Sequence, residues 1–143
     1  MKKRNSQAQN PARNEVTGLL KQAAYFRYEL RKFLRFSEMA ARRSGLTPQQ
    51  HQLMLGVAGH TGRGEASIGE LSEFLQERHN AVVGLVQRAQ RAGWVVKTAD
   101  PNDRRRMRVR LTPSGRRRLR QLTWQHRREL KRLSQLLRQF QTS

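Results

Sequence analysis

Cysteine is missing from all 143 residues, which excludes disulfides, thiolate catalysis, thiol redox sensing and cysteine zinc sites together. Acidic residues are scarce, with 10 Asp and Glu against 30 Lys and Arg and a formal net charge of +20. Such a chain repels itself unless a polyanion or counterions screen it. A nucleic acid is therefore the expected partner, and an anionic membrane surface a distant second. Long apolar runs are also absent, and nothing approaches the roughly 18 residues of a membrane span. The opening MKKRNSQAQNPARN has charge but no apolar stretch behind it, so no secretory signal is read there. A soluble cytoplasmic protein is expected.

Catalytic and ligating groups are as sparse. The ten acids include no convincing catalytic pair, and no Ser-His-Asp constellation can be assembled. His51, His60, His79 and His126 sit on separate predicted elements without metal-ligand spacing, so each is expected to be structural. Thr61-Gly62-Arg63-Gly64 contains glycines, but no Lys-Ser/Thr pair follows them as a phosphate loop requires. No enzyme, metal or cofactor is expected.

What is present is helical periodicity. The length suits one domain with long arms. Residues 1–13 are basic and rich in Asn and Gln, and are expected to form a disordered tail. Over 14–45 the apolar positions Val16, Leu19, Leu20, Ala23, Phe26, Leu30, Phe33 and Leu34 step by three and four, predicting a long helix that stops at Gly45. Thr47-Pro48 suits a helix start, and the helix is expected to run to about His60. Ser67 with Glu70 fits a capping box opening a short helix. Another helix, from about His79 to Ala92, turns Val82, Leu85, Val86 and Ala89 inward. From Pro113 to about Gln139 a last helix carries Leu119, Leu122, His126, Leu130, Leu133, Leu137 and Phe140. At 1.5 Å per residue it is about 40 Å long. A small globule needs less, so part of this stripe must find another surface.

The stretch Gly93–Gly115 is the most informative. Gly93 stands where a left-handed helix cap is wanted. Trp94–Lys97 predicts a strand, Asp100-Pro101-Asn102-Asp103 a turn, and Met107–Leu111 a return strand. Between Arg104 and Arg120 there are nine arginines and no acid. A hairpin placed after two short helices makes a winged helix-turn-helix. Helix residues left outside, His79, Asn80, Val83, Gly84 and Gln87, can meet base edges in a major groove: Asn and Gln suit adenine, Val83 a thymine methyl, and Gly84 permits close approach. Equally, Asn80 reads as a helix cap and Gln87 as an ordinary solvated residue. In the turn, Asp103 is expected to hold the Arg105 guanidinium extended, a pose suited to a narrow minor groove. Arg104, Arg106, Arg108 and Arg110 can take phosphates, or else form a solvated basic face.

These residues resemble the MarR family of transcriptional regulators. The family's wing pattern, Asp-x-Arg followed by Leu-Thr and Gly, stands here as Asp103-Arg104-Arg105, Leu111-Thr112 and Gly115. The stretches Ile68–Leu75 and Leu46–Gln50 resemble its helix starts, so the similarity covers roughly Leu46 to Gly115. The resemblance implies a mainly α fold with a small β-hairpin wing. It places a winged helix-turn-helix domain over 46–112, between dimerisation helices at 14–45 and 113–143. It implies a homodimer, expected to be a repressor, seated on a pseudo-palindromic operator and nucleoid-associated when bound. By position, Arg78 opens the recognition helix that carries His79, Asn80, Val83, Gly84 and Gln87, while Asp103 and Arg105 are the wing pair. Leu19, Leu20, Phe26, Leu130, Leu133, Leu137 and Phe140 are the expected dimer contacts. A small aromatic effector is implied as a possible partner.

The chain departs from the family in two respects, one being Gly84, which stands where a long polar residue is common. Hydroxyl residues common early in the recognition helix are absent from Arg78-His79-Asn80-Ala81-Val82-Val83. That departure and the arginine excess favour the alternative of a nonspecific or architectural nucleic-acid binder. An RNA-binding role ranks below both, because the deep major groove of A-form RNA does not admit a helix.

Overall fold

The computed structural model describes residues 11–141. Its elements are α1 (Pro11–Arg43), α2 (Pro48–Leu55), β1 (Glu65–Ser67), α3 (Ile68–Leu75), α4 (His79–Arg91), β2 (Val95–Ala99), β3 (Met107–Leu111) and α5 (Pro113–Gln141). They divide into two compact units. One is Phe36–Arg128; the other comprises the outer stretches of α1 and α5, up to Arg35 and from Glu129. Helix α1 already includes Pro11, the first described residue, three residues before the expected Asn14 and inside the supposed tail, whose first ten residues lie outside those described.

Local chemistry sets the element ends. Gly45 follows α1 with φ of +80°. Thr47 and Gln50 form a reciprocal capping box at α2, and Ser67 and Glu70 form another at α3. The helical run from Pro48 reaches the expected His60 but changes form on the way. Helix α2 gives way after Leu55 to one π turn, Gly56–His60, where Gly56 is buried and a Cβ would meet the Phe74 ring at 2.5 Å. A side chain there would have to displace the Phe74 ring of α3. The α3–α4 turn is made by Gln76 in the left-handed region, φ 54°.

The sheet corrects the two-stranded hairpin expected from sequence. It has three antiparallel strands in the order β1-β3-β2. The extra strand, β1, pairs Glu65 with Arg110 and Ser67 with Arg108. Three residues ending in a helix cap carry too little alternation to read as a strand. Strand β2 also runs two residues beyond the expected Lys97, to Ala99, and pairs there with Met107.

The core of the larger unit joins all these elements. Leu53, Met54, Val57, Leu71, Val82, Val86, Val95, Val109 and Leu122 are fully buried. Each such side chain contributes about 1.5–3 kcal/mol of transfer free energy relative to exposure. Leu85, expected to point inward, is half-buried against this cluster. In the smaller unit, Phe26 meets Phe140 edge-on at 5.7 Å between centroids. Arg132 bonds Glu29, whose carboxyl this contact holds below the usual range, while Lys32 approaches Glu29 to 3.3 Å.

Candidate nucleic-acid interface

The start of α5 locks the wing to the end of α4. After Ala92 caps α4, Gly93 takes φ of +86° and turns the chain into β2. Thr112 donates its hydroxyl to the Gly93 carbonyl at 2.6 Å and accepts from the Gly115 N–H at 3.0 Å. Its own N–H donates to the Trp94 carbonyl at 3.0 Å. One threonine thus caps α5 and ties β3 to the chain entering β2.

Helix α4 presents His79, Asn80 and Gln87 to solvent, with Val83 and Gly84 half-buried beside them. Arg78 is the N-cap and makes no side-chain capping bond, so Asn80 is a first-turn residue and not the cap. A Cβ on Gly84 would stand 3.3 Å from the guanidinium of Arg88, which lies over that glycine.

The wing turn is built differently from the expectation. Asp103 Oδ1 accepts from the backbone N–H of Arg105 at 3.0 Å and is not recorded against its guanidinium. A carboxylate two residues back reaches the nearer N–H first, as such turns do. Asp100 acts alike, taking the Asn102 N–H at 2.9 Å. That bond, with the Arg108 guanidinium nearby, holds the Asp100 carboxyl below the usual range. The two carboxylates therefore shape the tip, leaving Arg104, Arg105 and Arg106 exposed.

Arg108 is not a free phosphate ligand. Its guanidinium bonds Glu65 Oε1 at 2.7 Å and Asp100 Oδ1 at 3.2 Å, and the residue is half-buried. Glu65 also takes Arg110 Nε at 2.6 Å. Glu65 itself is only 8% exposed. A buried carboxylate needs such partners to remain charged. Nothing in the linear sequence pointed to Glu65, which lies 43 residues from Arg108.

An open cleft of about 700 Å³ separates α3 and α4 from the wing. It brings together His79 and Val83 with Arg105 and Arg106. It also brings in Arg63 and Lys97, which the sequence reading left out. Arg63 bonds both carboxylate oxygens of Glu70 at 2.8 Å. The Ser67 backbone N–H, followed by Arg63, keeps the Glu70 carboxyl below its ordinary range. Asn80, Gly84, Gln87, Asp103 and Arg104 do not line this cleft.

Of the expected dimer contacts, Leu19, Leu20, Leu130 and Leu137 are exposed on the long helices. Phe26, Leu133 and Phe140 are half-buried, the two phenylalanines against each other. No described helix is long and apolar enough to cross a membrane.

Residues 44–106 match the MarR family profile. The transcriptional activatory protein BadR of Rhodopseudomonas palustris is 34% identical over 77 residues, covering 54% of this chain. That alignment spans 44% of BadR, less than half its length. The crystal structure of the MarR family transcription regulator SP03579 superposes with a TM-score of 0.74 at 24% identity, over 88% of this chain and 82% of that one. A mutant MarR from E. coli, complexed with operator DNA, gives 0.65 at 18% identity over 82% and 83%. These likenesses extend the winged helix fold beyond the matched segment. Over residues 44–106, which hold two capped helices, the left-handed turn at Gln76 and the arginine-tipped wing, the chain is similar to the MarR family.

Proposed function

We propose that this chain is a sequence-specific transcriptional regulator acting as a homodimer on a pseudo-palindromic DNA operator. Helix α4 enters the major groove, and the wing carries Arg105 to the adjacent minor groove. One observation carries the reading: His79 and Val83 of α4 share an open cleft with the wing arginines Arg105 and Arg106. A helix with solvent-facing Asn and Gln beside a basic, backbone-braced loop is suited to base edges and phosphates together. A mutant MarR of similar fold is complexed with operator DNA, which supports DNA as the partner. Dimerisation is supported by Leu19 and Leu20, 57% and 64% exposed on α1, which need cover. Association with the nucleoid follows from DNA binding. Repression is the expected sign, although BadR is named an activatory protein, and a promoter-reporter assay decides it. A small aromatic effector remains part of the proposal on resemblance alone.

Footprinting with the full chain tests the reading. Two protected half-sites about 10 bp apart, centre to centre, are expected. Operator should outcompete random duplex by about a thousandfold or more. Protection of one unpaired half-site would contradict the dimeric arrangement. Equal affinity for random duplex would select the architectural alternative, which the excess of Lys and Arg, 30 against 10 acids, favours. Leu20→Asp should yield a folded monomer in sedimentation, since Leu20 supports little within its own chain. An intact dimer would remove Leu20 from the seam.

A further inference from the structure

Helix α5 has an outward face that neither the core nor the wing uses. Leu119, Leu122 and His126 turn into the core. On the opposite side, at helical spacing, stand Arg117, Arg120, Trp124, Arg127 and Arg128, all exposed. Trp124 is 67% exposed. The Arg127 guanidinium lies over its ring, 4.0 Å from the centroid, and donates to the Trp124 carbonyl at 2.8 Å. Among the described residues, no carboxylate pairs with any of these four arginines.

Arginines alone would make an ordinary solvated face, which an indole standing two-thirds in water does not complete. A two-fold contact centred on this face is a poor cover, because it would set four arginines against the same four. The missing partner must offer negative charge along an edge and flat aromatic surface. Single-stranded nucleic acid offers both, since its phosphates meet arginines while unpaired bases stack on aromatic side chains. Duplex offers phosphates only, because its bases already stack on one another. From Arg117 to Arg128 the face is about 17 Å long, room for about five nucleotides at the 3.4 Å per-strand spacing of stacked DNA.

We propose that this face of α5 is a second nucleic-acid site, which binds a single-stranded segment by arginine–phosphate contacts and base stacking on Trp124. It is separate from the cleft between α4 and the wing, and does not depend on the operator reading.

The chain has two tryptophans, Trp94 and Trp124, so Trp94→Phe leaves Trp124 as the sole indole reporter. Titrating the full-length variant with oligothymidylate or oligouridylate should quench its emission to saturation. Quenching by either supports the site, and the tighter oligomer identifies DNA or RNA as the source. By anisotropy in the otherwise native chain, Trp124→Ala should weaken oligomer binding by about tenfold or more, and Trp124→Phe by less. Arg105→Ala should leave oligomer binding unchanged, and Trp124→Ala should leave operator binding unchanged. The site and the operator reading thus fail separately. Absence of saturable quenching, unaltered binding by Trp124→Ala, or binding of duplex alone would overturn the proposal. So would loss of oligomer binding with Arg105→Ala, which would place the oligomer in the wing cleft. A Trp124→Ala chain that sediments as a monomer would reassign the face to self-association.

Discussion

Glu65 and Arg108, 43 residues apart in the chain, are joined by a 2.7 Å ion pair that ties the first strand to the third. Arg108 passes the connection to Asp100, whose carboxylate also shapes the wing turn. A continuous chain of charged contacts therefore runs from the edge strand β1 to the base of the arginine tip.

Glu65→Gln should break that chain, because Arg108 and Arg110 use different carboxylate oxygens and the amide would turn an NH2 donor toward one of them. With Arg110 half in solvent, the cost should be about 1–3 kcal/mol. Operator affinity should fall as well, although Glu65 reaches DNA only through the wing. Denaturant unfolding and gel shift check the two effects. Unchanged values in both would make the pairing incidental.

Arg105→Ala should weaken operator binding by about 1–3 kcal/mol. Stability should stay within about 0.5 kcal/mol of the native chain, since the side chain is exposed and packs on nothing buried. Native affinity in this variant would show that the wing tip does not reach the duplex.

Gly115→Ala should be far more damaging than its size suggests. The added methyl would fall 2.1 Å from the Trp94 carbonyl oxygen, a backbone atom that Thr112 already holds. More than about 2 kcal/mol of destabilisation is expected. Gly84→Ala is the useful contrast. Its methyl meets only the mobile end of Arg88 at 3.3 Å, so helix propensity should stabilise it by up to about 1 kcal/mol. Thermal unfolding that ranked the two the other way would refute the geometry at Gly115.

Acid should test His51. Burial, with the neighbouring His126 ring, pushes its pKa from 6.5 down to about 4. The folded protein therefore holds the neutral ring, and the unfolded chain takes up the proton first as pH falls. This contribution is complete above about pH 6.5 and is lost between 6.5 and 4. It amounts to at most about 3 kcal/mol. His51→Leu should flatten stability against pH across that window relative to the native chain. Parallel curves would mean that His51 does not titrate differently on folding.

Periodic and capping signals are local, which is why so much of the architecture was legible in the sequence. Thr47 and Gln50, Ser67 and Glu70, and the glycine after α4 each act within a few residues. Three-residue strands and cross-chain partners have no such signature. The histidines illustrate this: spacing put His51 and His126 on unrelated helices, and the core sets their rings 5.2 Å apart. The wing tip illustrates it again. Its motif paired Asp103 with the Arg105 guanidinium, yet the carboxylate accepts from the Arg105 backbone N–H.

Taken alone, the sequence determined the helices, their caps, the basic wing and the scarcity of catalytic groups, because composition and short-range periodicity encode these directly. Tertiary structure decided which arginines are committed and which are available. Arg108 and Arg110 are held by a glutamate that only strand pairing brings near, whereas Arg104, Arg105 and Arg106 project from the tip. Charge is a property of each residue, but its availability depends on neighbours that the folded chain assembles.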